Sequence, residues 1–204
     1  RLDQPARPGV AIDEVFPYDY TVRCTEESLR NLGTETIDLQ QFHVWNPEWL
    51  ASDEWRRAVE DLKASGKVRW FGISINDHDP DSALEIIKSG LIDTVQVIYN
   101  IFDQSPERNL FALTQQENIG VLARVPLDEG SLTGAITEDT KFEGDEFRAA
   151  YFRGDRPRQV AEHVRLAYVI IQNELAGGTG LRIRTPWWLR TLLRWKLLPQ
   201  ILAT

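Results

Sequence analysis

Residues 39–45, Leu39-Gln40-Gln41-Phe42-His43-Val44-Trp45, read as a short apolar strand that ends on a histidine, and further strand-like segments follow at 68–74, 94–101 and 119–125. The first strand is expected over 37–44. Each segment is too short for a helix and is bounded by turn residues. Helical periods fill the gaps. Strands and helices alternating at about 25-residue intervals have one common solution, a parallel sheet with right-handed crossovers. In such an α/β array the C-terminal strand ends share one mouth, where barrel active sites sit. His43, at a strand tip, is therefore a candidate for chemistry.

The helices carry their own punctuation. One is expected over 21–32, with Leu29 and Leu32 facing inward and Gly33 as its stop. Ser52 reads as the N-cap of the next, Asp53 and Glu54 suit its positive start, Trp55, Val59 and Leu62 form its apolar face, and Gly66 ends it. Asp79-Pro80 supplies a cap and a proline at the first helical position, Ala83, Leu84, Ile86 and Ile87 the packing face, and Gly90 the end. Ser105-Pro106 opens a helix packed by Leu110, Phe111 and Leu113. Residues 1–19, with Pro5, Pro8 and Pro17, read as a loop. So do residues 128–157, rich in Gly, Asp, Glu and Thr, and long loops of this kind are often functional. A helix resumes over 157–174, before the break Ala176-Gly177-Gly178-Thr179-Gly180.

The chain has 204 residues, 42% hydrophobic and 26% charged, the balance of a soluble globular protein with one sizeable core. A net charge of −8, from 31 acids and 23 bases, makes nucleic acid and anionic lipid poor general partners. The single cysteine, Cys24, excludes an internal disulfide framework and fits a reducing cytoplasm. No apolar run approaches the ~20 residues of a membrane span, and no signal peptide is visible. The chain opens on Arg1-Leu2-Asp3 and lacks methionine, so it reads as a fragment or a processed piece. Residues 181–204 stand apart. They hold no acid, a charge of +5 from Arg182, Arg184, Arg190, Arg194 and Lys196, and three tryptophans, Trp187, Trp188 and Trp195. This basic tail reads as an amphipathic helix on a membrane surface, as an ordinary packed terminal helix, or as a wrong reading frame at the gene's end.

Four stretches, in consistent order over roughly residues 20–135, carry a family resemblance. They are Glu27-Ser28-Leu29-Arg30-Asn31-Leu32-Gly33 with Ile37-Asp38-Leu39; Gly66-Lys67-Val68-Arg69 through Gly72-Ile73-Ser74; Gln96-Val97-Ile98-Tyr99-Asn100; and Gly120-Val121-Leu122-Ala123-Arg124-Val125-Pro126-Leu127 with Gly130, Leu132 and Gly134. Together they resemble the aldo-keto reductases, which are NAD(P)H-dependent (β/α)8 barrels. The resemblance implies an incomplete TIM barrel with about units four to seven present, a partial barrel over 1–180 and an atypical tail over 181–204. It implies reduction of aldehydes or ketones, or the reverse, with NADPH as cofactor and NADH possible. A small carbonyl or alcohol substrate follows.

It also implies roles. His43 would orient the substrate carbonyl and polarise the developing alkoxide. Ser74 and Gln96 would hold the nicotinamide carboxamide. Arg124 stands where many members place an aromatic that stacks on the nicotinamide, and a planar guanidinium can stack there too. The backbone around Pro126, Leu127, Gly130, Leu132 and Gly134 would wrap the pyrophosphate, glycine allowing close approach of main-chain N–H groups. The departures are equally specific. The family's catalytic tetrad is Asp, Tyr, Lys and His, and on this alignment the first three fall upstream of residue 1. Lys63, Tyr18 and Tyr20 do not match them, Ile75 stands where many members have Asn, and the last strand with its phosphate loop is not recognisable. The chain alone is therefore expected to be inactive, and its open half-barrel to self-associate.

Each singled-out residue has a plainer reading. A half-buried, hydrogen-bonded histidine is commoner than a catalytic one, and only the surrounding motifs favour chemistry at His43. Ser74 could be a structural cap. Gln96, an amide inside an apolar strand, must find hydrogen bonds. Asp77-His78-Asp79 suggests a metal site or, more simply, a cap on the following helix, and no metal is expected. His163 is read as exposed, Cys24 as inert, and Asp38 as too low on its strand to be a base. A rival from another class also stands: the fold kept as a cofactor-sensing or scaffolding subunit without turnover.

Overall fold

Four parallel strands form one sheet in chain order, β1 (Ile37–Phe42), β2 (Val68–Ser74), β3 (Thr94–Ile98) and β4 (Gly120–Arg124). Sequence neighbours that are also spatial neighbours belong to a singly wound barrel segment, not to a doubly wound sheet. Helices α1 (Ile12–Val15) and α2 (Tyr18–Leu32) precede β1, and α3 (Glu54–Ala64), α4 (Leu84–Lys88) and α5 (Leu110–Gln116) make the three crossovers. Then come α6 (Phe147–Tyr151) and α7 (Arg156–Leu175). The structure, a computed structural model, describes residues 9–76, 78–144 and 147–175, so Asp77 and the 181–204 tail lie outside the described residues. The chain divides into two units, Arg1–Arg124 and Val125–Thr204.

The register decides which face each strand shows. The pairings Phe42↔Ile73, Ile73↔Val95 and Val97↔Ala123 place an apolar row on one face. There Phe42, Phe71, Ile73, Val95 and Val97 are buried in one cluster with Trp55, Val59, Leu62, Ile86, Ile87 and Leu110. The period of two sends Gln41, Trp70, Ser74, Gln96, Leu122 and Arg124 to the opposite face, which is more open: Trp70 is 52% exposed and Leu122 36%. Gly72 fixes the fit between β2 and β3. A Cβ there would lie 2.0 Å from Thr94 Oγ1 and 2.8 Å from the Thr94 carbonyl oxygen, its register partner. Only a residue without a side chain lets the two backbones meet at this point.

An aromatic cluster anchors the end of β1. Phe16 stacks on Phe42 at 4.6 Å, and Trp45 meets Trp55 at 5.2 Å and Trp49 at 5.9 Å, both edge-on. Trp55 Nε1–H donates to the Trp49 carbonyl at 2.8 Å, and Trp49 Nε1–H to that of Val10 at 2.7 Å. Each ring pair adds about 0.5–1.5 kcal/mol beyond its burial. Phe42 and Trp45 are thereby held on either side of His43, which remains exposed.

Several expectations need correction. Residues 1–19 are not all loop: α1 buries Ile12 and Val15, and α2 begins at Tyr18. Leu32, expected inward, is 68% exposed, because the buried stripe Thr21, Thr25, Leu29 advances by four and leaves it aside. The strands stop short of 44, 101 and 125. After β3, Asn100 Oδ1 accepts from the N–H groups of Phe102 and Asp103 at 2.8 and 3.0 Å, turning the chain out of the ladder. A 3₁₀ turn, Ser105–Glu107, stands where the third crossover helix was expected to open, and α5 begins only at Leu110. Asp79 precedes a 3₁₀ turn, Pro80–Ala83, but its side chain makes no capping bond; its carbonyl accepts from the Ser82 hydroxyl instead. The 128–157 segment contains the 3₁₀ stretch Asp128–Thr133, α6 and the start of α7. Ser52 does serve the start of α3, accepting from Glu54 N–H at 3.3 Å, and Gly33, Gly66 and Gly90 take left-handed φ beyond the helix ends.

The loops above the sheet are tied together. Asn76 Nδ2 donates to the Trp45 carbonyl at 2.7 Å, joining the β2 and β1 tips. His78 Nδ1 lies 2.7 Å from Asp103 Oδ2, joining the β2 and β3 loops, and Asp103 Oδ1 accepts from the Ser105 N–H and O–H. Burial alone would raise the Asp103 carboxyl, but the bonds from Ser105 and His78 outweigh it and hold the group below the usual carboxylate range.

Two outcomes follow. Gly72→Ala is expected to lower stability by about 1–3 kcal/mol or more, read as a lower urea midpoint, because a backbone oxygen cannot swing aside; an unchanged midpoint would contradict the β2–β3 register. A carboxyl depressed on folding stabilises above its unfolded value near pH 4, and that stability is lost as pH falls through the folded value. Asp103→Asn should therefore flatten the acid limb of the stability curve below about pH 4. Superimposable acid limbs would argue against the loop bridge.

Candidate active site

The polar residues at the strand tips fall into a row. Phe42 pairs with Ile73, so His43, one residue on, stands level with Ser74. Ser74 pairs with Gln96, and Gln96 with Leu122, two residues before Arg124. Ser74, the last residue of β2, and Gln96, in the middle of β3, thus stand side by side on the face opposite the packed helices, with His43 just beyond the end of β1 at the same level. With strands ~4.8 Å apart, the row is about 10 Å long. Ile75 N–H donates to the Gln96 carbonyl at 2.8 Å and locks the last step of this register.

Their environments differ. Ser74 is buried, Gln96 half-buried and His43 exposed. Among the described residues the Ser74 hydroxyl, the Gln96 carboxamide and the His43 ring make no hydrogen bond within the chain. The Gln96 amide therefore stays available on the open face. Buried polar groups are usually paired, so adjacent hydroxyl and carboxamide groups with spare capacity suit a ligand bearing an amide of its own. Arg124 completes the set. From β4 its Nη2 donates to the Ile75 carbonyl at 3.4 Å, so the side chain crosses the tip of β3 to reach the end of β2. The first unit therefore brings His43, Ser74, Gln96 and Arg124 to one end of the sheet.

Pro126, Leu127, Gly130, Leu132 and Gly134 belong to the second unit. Their loop is unusually strained. Val125, Asp128 and Glu129 all have φ near +50°, at 55°, 47° and 56°, and Val125 is β-branched, a type that rarely adopts this region. Gly130 has φ 102° and Gly134 79°. The conformation is held by Gly130 and Leu132 N–H groups donating to the Leu127 carbonyl at 3.0 and 3.1 Å. Ser131 is fully buried with an unpaired hydroxyl. The turn is thus closed on the Leu127 carbonyl, which takes up the Gly130 and Leu132 N–H groups.

Sequence reasoning gave no role to three residues that hold the site. His78 was weighed only as part of a metal or capping triplet; it pairs with Asp103, and no cluster fit for a metal exists among the described residues. Asn76, displaced by one position from the family's usual asparagine, bridges to Trp45, while Ile75 is buried. Asn100 turns the β3 loop. The Tyr99-Asn100 pair beyond an apolar strand was the available signal, since asparagine after a strand commonly makes such a turn.

The chain matches the Aldo/keto reductase family over residues 14–173. It is similar to aldo-keto reductase YhdN of Bacillus subtilis, 29% identical across 72% of this chain and 44% of that protein. It is also similar to the NADH-specific methylglyoxal reductase of Escherichia coli, 34% identical across 55% and 34% respectively. Among solved structures it resembles a glycerol dehydrogenase from Gluconobacter oxydans, with a TM-score of 0.60 and 25% identity over 78% of this chain and 48% of that one. The chain thus spans less than half the length of each of these proteins. Four parallel strands wound in order are what this match predicts, and the chain belongs to the aldo/keto reductase family.

Proposed function

We propose that the intact protein is an NAD(P)H-dependent oxidoreductase that reduces a small aldehyde or ketone to the alcohol, or runs the reverse reaction. The observation that carries this reading is the row His43–Ser74–Gln96, set level across three adjacent parallel strands in a chain of this family. Similar proteins named for methylglyoxal and glycerol support a small, polar substrate. NADPH is the favoured cofactor and NADH the alternative. It supplies the hydride when bound.

The chain's own residues do the rest. The Ser74 hydroxyl and the Gln96 carboxamide, free of internal bonds among the described residues and side by side in the register, would hold the cofactor's carboxamide. By the family resemblance, the segment containing Pro126, Leu127, Gly130, Leu132 and Gly134 would support the pyrophosphate. Arg124 sits at the edge of the carboxamide site. His43, exposed between two anchored aromatics, donates a ring N–H to the carbonyl oxygen and stabilises the charge that grows there as hydride arrives. Proximity and a fixed donor, rather than covalent chemistry, lower the barrier. No helix among the described residues is long and apolar enough to cross a membrane. The lone Cys24 supports a reducing, cytoplasmic setting. Nucleic acid is not a partner on this reading, given the acidic balance.

In the intact protein His43→Ala should lower kcat/KM for carbonyl reduction by about 10²–10⁴-fold while leaving the cofactor dissociation constant within about twofold. Retained turnover would remove His43 from the chemistry. The isolated 204-residue chain should give no turnover and should scatter light as a species heavier than one chain, since Trp70 and Leu122 are exposed and β1 and β4 are sheet edges. A monodisperse, active monomer would contradict both expectations.

A further inference from the structure

A groove of about 420 Å³ opens between two segments that are far apart in the chain, residues 9–13 and 48–52. Its volume falls among small-molecule sites, which span about 300–1,000 Å³. Two bonds hold its walls together. Trp49 Nε1–H donates to the Val10 carbonyl at 2.7 Å, and the Ser52 hydroxyl donates to Asp13 Oδ1 at 3.0 Å. Ile12 and Trp49 line the groove and are buried in the core, so part of its surface is apolar and fixed. Asp13 and Glu48 also line it and are exposed. The second Asp13 oxygen and the whole Glu48 carboxylate have no partner among the described residues. No basic side chain lines the groove, and Arg56 on α3 is turned to the Leu50 carbonyl and Asp53.

We infer that this groove binds a small aliphatic amine, with its hydrocarbon chain against Ile12 and Trp49 and its ammonium groups at Asp13 and Glu48. The lining selects that class. An anion would meet two carboxylates and no cation. A metal ion needs several oxygens converging on one point, and no such cluster exists among the described residues. An alkylammonium answers both halves of the surface. Its methylenes leave water against the apolar wall, and its N–H groups donate to charged acceptors. An indole is also the aromatic that best receives a cation. Exposed charge pairs are individually weak, so the affinity depends on the apolar wall and both carboxylates acting together. The groove shares no residue with the row His43–Ser74–Gln96, so amine binding does not depend on where cofactor binds.

The test is calorimetry of the intact protein with 1,4-diaminobutane at low ionic strength, without cofactor. One saturable site is expected. Asp13→Asn and Glu48→Gln should each weaken binding by about threefold, and the double variant by about tenfold. Both substitutions spare the fold, since Asn still offers Ser52 an acceptor and Glu48 is exposed. Ala51→Leu keeps both charges but narrows the groove, and should weaken binding as much as the double variant does. Butylamine, with one charge, should bind less tightly than the diamine, and 1,4-butanediol should not bind. Absence of a saturable site would overturn the assignment, as would a double variant that binds at the wild-type affinity. So would displacement of the diamine by equimolar Mg²⁺, which would reduce the effect to diffuse attraction by the net charge of −8.

Discussion

Thr94 lies where a side chain at position 72 would be, and the rest of the site depends on that close approach. Because Thr94 Oγ1 is 2.0 Å from an ideal Cβ on Gly72, β2 and β3 can approach only at a glycine, and the ladder is fixed with Gly72 opposite Thr94. Two residues further along, the same register sets Ser74 beside Gln96. A slip of one residue would send Gln96 into the apolar cluster and Val95 or Val97 to the open face. The chemistry of the mouth is thus determined near the bottom of the sheet, by the absence of one side chain.

A second constraint acts on β1. His43 would be an ordinary loop histidine if the chain around it could wander. Phe42 and Trp45 prevent that, one stacked on Phe16 and packed against Phe71, the other wedged between Trp49 and Trp55. Asn76 adds a bond from the next strand tip to the Trp45 carbonyl. His43 is the one exposed residue in the segment 42–46. Rigidity comes from core packing and function from the residue the core leaves out, the division of labour expected where loops on a stiff scaffold carry chemistry.

The sequence was most legible where burial and period coincide. Trp55, Val59 and Leu62, or Ile86 and Ile87, announce a packed helix face because nothing else tolerates that spacing, and all are buried. Strand identities were legible for the same reason; strand ends were not, since they depend on turns such as that at Asn100, whose side chain competes with the ladder for backbone N–H groups. Leu32 shows the limit of the helical wheel, which cannot tell how far along a helix its contacts extend. The His78–Asp103 bridge joins residues 25 apart on two different loops, and no local pattern encodes it. Of the candidate site, the residue types at the strand tips were visible, but their alignment into one row needed the register.

On the proposed reading, the cofactor meets this chain at the end of the sheet where His43, Ser74, Gln96 and Arg124 come together. Hydrogen–deuterium exchange of the intact protein with and without NADPH measures that directly. Exchange should slow in segments 73–76, 96–100 and 124–134 and stay unchanged at the strand starts around Asp38, Val68 and Asp93. Protection at the strand starts, or none at the tips under saturating cofactor, would contradict it.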